Sequence, residues 1–394
     1  MLQALFHAWE RRLAAETTDR LVRPFEWGLD WLTSADRTGD ASPASLIGDW
    51  VSSVMADSDA FYTPPPTGDY TVESGRQAGE QLLTFPSAMT TPHPENNTVY
   101  CRLFQPRQSG DEYSGPDLET GADDANTYVG SGLRTGADDA NTYVGSGLQT
   151  RPKGGHRAAV LVLPQWNSDA GGHVGLCRLL TMNGLTAVRM SLPYHDRRMP
   201  PELRRADYIV SANVVRTLQV CRQAVLDARR AIAWLHAQGY DRIGILGSSL
   251  GSCLSLLTTA HEPLIRAQAL NHISPYFADV VWRGLSTAHV REGLDGHIEL
   301  DLLRHLWKPL SPAHFLERLR SRRTLLVYAR YDLTFPVDLS RQLVRQFEAQ
   351  GIPHELAVLR CGHYTSGVTP FKFVDGWILS RFLKRALTLS PSAA

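Results

Sequence analysis

Apolar runs and amphipathic segments alternate along the chain from residue 156 onward. Runs rich in valine, leucine and isoleucine predict buried strands, and segments with apolar residues three to four apart predict helices between them. The predicted strands are 156–164, 185–192, 242–247, 267–274, 323–329 and 354–360. The predicted helices are 175–184, 206–238, 252–260, 338–351 and 371–387. This alternation predicts a mostly parallel α/β sheet with helices on both faces.

The segment 242–252 is the most informative part of the chain. A short apolar strand runs into Gly247-Ser248-Ser249-Leu250-Gly251 and then into a helical segment. In so tight a turn the central residue takes a strained backbone conformation, and the flanking glycines avoid Cβ collisions. The turn would expose Ser249 Oγ above a helix N-terminus, where negative charge is stabilised. Ser249 is therefore the predicted nucleophile.

A serine nucleophile requires a base and a carboxylate that orients the base. Asp332 follows one predicted strand, and His363 follows the next strand, 31 positions later. In order and placement, Ser249, Asp332 and His363 resemble the catalytic triad of the α/β-hydrolase superfamily. Two alternatives are that Asp332 only forms a turn, and that Asp338 is the acid. Asp338 stands at a predicted helix start, where a capping role is favoured.

The resemblance also implies an oxyanion hole made of two backbone N–H groups. One would come from Leu250, directly after the nucleophile. The other would come from the loop after the strand that ends at Pro164, where the superfamily commonly has His-Gly. Pro164 and Gln165 replace that pair, so Trp166 is the expected donor, with Gln165 or the Asn167 side chain as alternatives.

Two further parts of the chain are expected near the pocket. His195 follows the strand 185–192 and either lines the pocket or is an ordinary polar loop residue. Residues 275–320 form a long apolar and helical insertion, interpreted as a lid over the acyl group. The side chains expected to enlarge its pocket are Trp282, Leu285, Leu303, Leu306 and Trp307. Since each buried methylene contributes about 0.8 kcal/mol, this predicts medium-acyl or lipid-like substrates.

The remaining organisation follows from composition. We expect residues 1–75 to form N-terminal amphipathic helices and an extended connection, and residues 76–394 to form the hydrolase domain. Within that domain, Thr120–Leu133 recurs identically as Thr135–Leu148. The Gly, Ser, Asn and Asp content predicts a flexible insertion at 107–155 that arose by tandem duplication.

The aromatic residues of the N-terminal segment allow two interpretations. Trp27 and Trp31 lie in an amphipathic stretch, which would suit peripheral contact with a membrane interface. Packing of the same side chains against the hydrolase core is the favoured alternative. Neither a secretory signal nor a run long enough for a membrane span is recognised in the sequence.

Overall composition narrows the class of protein. The chain of 394 residues is 43% hydrophobic, enough for one large core. Lys plus Arg equals Asp plus Glu at 40 each, so the chain has no net positive charge that would attract nucleic acid. The five cysteines are scattered without metal-ligand spacing, which fits a reducing cytoplasm. We expect neither a metal nor an organic cofactor.

These observations predict a serine hydrolase that cleaves a carboxylic ester through an acyl-enzyme. A small-molecule ester or a lipid is the expected substrate. The same triad would also cleave a thioester or an amide, and a hydrolase scaffold that binds without catalysis is a further alternative. The presence of serine, aspartate and histidine in the required order favours the enzyme.

Overall fold

The computed structural model describes residues 2–34, 36, 41–75, 79–106 and 156–388. The predicted insertion 107–155, with its duplicated segments, lies outside these described residues. None of the helices within the described ranges is both long enough and apolar enough to cross a membrane.

The described strands form one sheet in the order β1-β2-β3-β5-β4-β6-β7-β8-β9. Strands β1 to β3 pair antiparallel with one another and β3 pairs antiparallel with β5, whereas β4 to β9 are parallel. The predicted mostly parallel sheet is therefore confirmed. The strands are β1 Thr71–Ser74, β2 Glu80–Pro86, β3 Thr98–Phe104, β4 Ala158–Leu163, β5 Thr186–Met190, β6 Arg242–Ser248, β7 Ile265–Asn271, β8 Arg323–Ala329 and β9 Glu355–Leu359.

Helices cover both faces of the sheet. They are α1 Leu2–Ala15, α2 Pro43–Ala56, α3 Ser58–Phe61, α4 Val174–Met182, α5 Val214–Ala237, α6 Leu250–His261, α7 Phe277–Arg283, α8 Ala288–Leu294, α9 Leu300–Leu306, α10 Val337–Ala349 and α11 Phe371–Thr388. Along β4, Leu161 and Leu163 join the core beneath α5 and α6, whereas Val160 and Val162 join the core beneath α4 and α11. Burial on both faces explains why this strand is an unbroken apolar run.

Two helix starts differ from the expectation. Helix α5 begins at Val214 because the Asn213 side chain accepts a hydrogen bond from Arg216 N at 2.9 Å and caps the helix. Helix α10 begins at Val337 after Pro336. The expectation that Asp338 caps this helix is wrong, since its carboxylate forms an ion pair with Arg283 at 2.8 Å.

The segment 275–320 forms α7, α8, α9 and short 3₁₀ turns. Leu303, Leu306 and Trp307 are fully buried in the same core cluster as α5 and α6. Trp307 Nε1 also donates a hydrogen bond to Val214 O at 2.9 Å. The expectation that these three side chains line an acyl pocket is therefore wrong, because their apolar spacing reflects packing into the body of the domain.

The N-terminal segment packs onto the same body. Trp27 and Trp31 are partly buried against the main core cluster. Next to them, Glu26 N donates to Ala212 O and Glu26 O accepts from Val214 N, at 3.1 and 3.0 Å. Of the two interpretations of these tryptophans, the structure agrees with packing against the core.

Candidate active site

Ser249 lies at the turn between β6 and α6. Its backbone has φ 55° and ψ −120°, a conformation that costs energy for a residue with a side chain. A Cβ atom on Gly247 would lie 2.1 Å from Gly251 O, and one on Gly251 would lie 2.2 Å from Leu163 O. The close approach of three backbone segments therefore requires glycine at both positions. The strained turn predicted from the sequence is present.

Asp332 is buried on the loop after β8 and has four hydrogen-bond partners. Its Oδ1 accepts from the backbone N–H groups of Thr334 and Phe335 at 2.8 and 2.7 Å. Its Oδ2 faces His272 Nδ1 at 2.9 Å and His363 Nδ1 at 3.2 Å. Burial alone would raise the pKa of Asp332, but the two histidines outweigh it and hold this pKa well below its usual range.

His272 is a site residue that the sequence analysis missed. It follows the end of β7 with φ 59°, which turns its ring toward Asp332. Its Nε2 lies 3.2 Å from Ser366 Oγ, and that hydroxyl donates to His363 O at 2.7 Å. Both ring nitrogens of His272 thus face acceptors, an arrangement that favours the charged imidazolium. Burial would lower the pKa of His272, but the hydrogen bond to Asp332 raises it above its usual value.

The loop that carries His363 is held by helix α1. Glu10 is fully buried. Its carboxylate accepts hydrogen bonds from Tyr364 N at 2.9 Å, and from Thr365 N and Thr365 Oγ1 at 2.8 Å each. A Cβ atom on Gly362 would lie 2.3 Å from Glu10 Cδ. Glycine at position 362 therefore makes room for this carboxylate.

Helix α1 also reaches the loop that carries the acid. The Phe6 ring stacks on Tyr331 with centroids 4.6 Å apart, one position before Asp332. On the other side, the His363 ring stacks on Phe335 at 5.5 Å and 9°. The imidazole is therefore held both by its hydrogen bond to Asp332 and by an aromatic face.

Ser249 and His363 line one cavity of about 910 Å³, together with His272, Trp166 and Gln165. No hydrogen bond joins Ser249 Oγ to His363 within the described part of the chain. Such bonds are often long in free enzymes and shorten when substrate binds. The structure thus places Ser249 and His363 on one cavity, with Asp332 hydrogen-bonded to His363.

The two expected oxyanion donors lie beside Ser249. Leu250 is the first residue of α6, so its N–H has no acceptor within the helix. Trp166 N likewise has no acceptor among the described residues. Leu250, Trp166 and Ser249 share a second, apolar cavity of about 50 Å³ with Phe277 and Val280.

Of the two interpretations of His195, the structure agrees with an ordinary loop residue, and the Asn167 side chain accepts a backbone hydrogen bond through its oxygen. His195 is buried behind the loop rather than in the wall of the large cavity. Its Nε2 accepts from Asn167 N at 2.9 Å, and its Nδ1 lies 2.9 Å from Pro193 O. Asn167 lines the large cavity, but its Oδ1 accepts from Ala206 N at 2.8 Å. These two residues therefore fix the loop that presents Trp166.

His272, Asp332 and His363 also form a group with metal-ligand chemistry, because one donor atom of each lies within 4.8 Å of the others. The atoms that face one another are the two Nδ1 atoms and Asp332 Oδ2, at hydrogen-bond distances. A metal would have to displace the protons that these bonds contain. The geometry is that of one carboxylate hydrogen-bonded to two histidines.

The structure is similar to solved structures of a peptidase and of two esterases. An acylaminoacyl peptidase from Pyrococcus horikoshii aligns over 82% of this chain and 43% of its own, with TM-score 0.53 and 12% identity. Acetyl xylan esterase 1 from Thermoanaerobacterium sp. JW/SL YS485 aligns over 86% and 93%, with TM-score 0.51 and 12% identity. An acetyl xylan esterase from Paenibacillus sp. R4 aligns over 95% and 99%, with TM-score 0.54 and 11% identity.

These likenesses show the fold of the chain. It is the α/β-hydrolase fold, which confirms the expectation drawn from the sequence. The chain spans less than half the length of the peptidase it matches. No family profile matches its sequence, and no curated protein does.

Proposed function

We propose that the protein is a serine hydrolase that cleaves a carboxylic ester through an acyl-enzyme. The observation that carries the proposal is a strained Ser249 that shares a cavity with His363, whose Nδ1 lies 3.2 Å from Asp332 Oδ2. An ionised Asp332 accepts a hydrogen bond from His363 Nδ1–H, which leaves Nε2 unprotonated and able to act as the base. The Asp332 carboxylate therefore fixes both the tautomer and the orientation of the ring.

The reaction proceeds in two steps. Ser249 Oγ attacks the ester carbonyl while its proton passes to His363 Nε2, and the oxyanion binds the N–H groups of Leu250 and Trp166. The N-terminus of α6 adds a favourable dipole. His363 then protonates the leaving alcohol. In the second step, a water molecule deprotonated by His363 attacks the acyl-enzyme and releases the acid.

The small cavity beside Ser249 favours a short acyl group. Its volume is about 50 Å³, and Phe277, Val280 and Phe335 are part of its wall. Since an apolar cavity of about 150 Å³ holds a benzene molecule, a cavity about a third of that size fits only a short acyl group. The medium or lipid-like acyl chain expected from the sequence depended on side chains that are in the core instead. We therefore assign the acyl group to the small cavity and the alcohol to the large one.

A fluorophosphonate probe tests the proposal. The probe is expected to label Ser249, and Ser249→Ala should abolish labelling and ester cleavage while the melting temperature stays close to that of the wild type. Ser286 offers a matched control, since its hydroxyl lines both cavities and has no part in the proposed chemistry. Ser286→Ala should retain labelling. An adduct on another residue, or no adduct on the folded protein, would overturn the proposal and favour a hydrolase-fold protein that binds without catalysis.

An ester series tests the acyl assignment. For p-nitrophenyl esters used below their micelle concentration, kcat/KM should fall from acetate and propionate toward octanoate. A rise with chain length would return the acyl group to the large cavity. Parallel thioester and anilide substrates distinguish esterase from thioesterase and amidase.

A further inference from the structure

The wall of the large cavity is rich in positive charge. Four of its side chains are permanently cationic, namely Arg20, Arg178, Arg205 and Lys372. Among the described lining residues the one carboxylate is Asp375, which accepts from Asn271 Nδ2 at 2.7 Å. Burial raises the pKa of Asp375, which further weakens its negative charge. The described side chains that line this cavity are therefore more often basic than acidic.

Arg20 contacts the residue that follows the proposed catalytic base. Its Nη2 donates to Tyr364 OH at 2.8 Å, one residue after His363. Its Nε is buried and has no hydrogen-bond partner. Among the described residues, no carboxylate lies within ion-pair distance of this guanidinium. A half-buried arginine in a cleft, without a carboxylate partner, is suited to bind a negatively charged ligand.

Arg205 lies on the same wall. Its guanidinium is 5.8 Å from the centre of the Trp166 ring, on the proposed oxyanion loop. It forms an ion pair with Asp19 at 2.9 Å, and its buried Nε lies 3.9 Å from Asp207 Oδ1. Two carboxylates therefore offset the charge of Arg205. Of these two arginines, Arg20 is thus the one suited to an anionic ligand.

We propose that the alcohol part of the substrate carries an anionic group, a carboxylate or a phosphate, that binds Arg20. This inference depends on the ester hydrolase function proposed above and names its substrate class. Guanidinium groups bind both oxyanions through paired N–H donors. Because the acyl group occupies the small apolar cavity, the anion belongs to the leaving group in the large cavity.

Three matched acetate esters test the inference: 4-acetoxybenzoate, 4-acetoxyphenyl phosphate and the neutral 4-acetoxybenzamide. The wild type should cleave at least one of the two anionic esters with kcat/KM about tenfold above the amide, the range of one charged hydrogen bond. Whichever anion shows the larger preference identifies the group as carboxylate or phosphate. The preference should shrink as salt rises from about 0.05 to 0.5 M, because salt screens the attraction.

Arg20→Gln isolates the contribution of the guanidinium. This variant should lose most of the preference while its kcat/KM for 4-acetoxybenzamide stays near wild type. Arg345→Gln is the matched control, because Arg345 is an exposed arginine of α10 outside the cavity. It should keep the full preference.

The possible failures are distinct. Equal cleavage of the neutral and both anionic esters by an enzyme that is labelled at Ser249 would overturn this inference alone. An equal loss on all three esters in Arg20→Gln would show that Arg20 only positions Tyr364, which also overturns it. Absence of both ester cleavage and labelling would overturn the proposed function as well.

Discussion

Replacement of Glu10 by glutamine tests whether helix α1 positions the base. Glu10 Oε1 accepts the two hydrogen bonds from Thr365, and Oε2 accepts the one from Tyr364 N. Glutamine retains one acceptor oxygen and places an amide N–H₂ against the other donor. One buried N–H then loses its partner, which costs about 1–3 kcal/mol. Because this N–H belongs to the residue after His363, the imidazole shifts and kcat should fall by about 10- to 100-fold.

The assay combines kcat on p-nitrophenyl acetate with urea denaturation. Glu16→Gln makes the same chemical change at an exposed position just after α1, and should alter neither quantity measurably. A purely structural role would give a different pattern, namely lower stability with wild-type kcat for the protein that remains folded. That result in Glu10→Gln would refute the positioning argument.

Three other changes test individual groups. Asp332→Asn should lower kcat by about 10⁴-fold because the imidazole loses its orienting carboxylate. Asp338 forms an exposed ion pair, so Asp338→Asn should change the free energy of unfolding by less than about 1 kcal/mol and leave kcat near wild type. His272→Leu removes a charged hydrogen bond from the buried Asp332 carboxylate, so the free energy of unfolding should fall by about 1.5–3 kcal/mol; unchanged stability would show that His272 does not stabilise this carboxylate. Burial lowers the pKa of His195 to about 4, below about 6.5 in the unfolded chain. Between these two values the unfolded chain binds a proton that the folded protein does not, so the free energy of unfolding is highest above pH ~6.5 and falls toward pH 4. In His195→Gln the free energy of unfolding should depend less steeply on pH in that window, by up to about 1.4 kcal/mol per pH unit. An identical pH dependence in the wild type and the variant would contradict the lowered pKa of His195.

The sheet and the three central site residues were accessible from the sequence for physical reasons. A strand buried on both faces must be continuously apolar, and a turn as tight as that at Ser249 requires glycines at fixed spacing. Both features are local, so they leave a local pattern. Asp332 directly follows the buried strand β8. His363 follows β9, an apolar run at the sheet edge that is largely exposed.

His272 and Glu10 left no comparable pattern. The predicted strand 267–274 ran through His272, whereas β7 ends at Asn271 and the positive φ of His272 reverses the direction of its side chain. Glu10 contacts residues 354 and 355 positions later, and on its own helix it resembles any charged surface residue. The role of each depends on a partner that only the fold brings close.

The expected lid shows the limit of periodicity. Apolar residues three to four apart predict a buried helix face but do not say against which surface it is buried. Trp307 and Leu306 satisfy the pattern by packing into the main core. The side chains that line the small cavity beside Ser249, among them Phe277, Val280 and Thr287, were not distinguished by the sequence.

The hydrogen bonds between α1 and the loop after β9 have a consequence for the order in which the chain folds. They join residues 354 and 355 positions apart, so they close a very large loop, and contacts of high sequence separation form late. The parallel strands β6, β7 and β8 can pair before then. A refolding or newly synthesised chain is therefore expected to acquire its sheet, and even the strained turn at Ser249, before it acquires hydrolytic activity. Recovery of activity should follow recovery of secondary structure, with the docking of the first helix as the step that separates them.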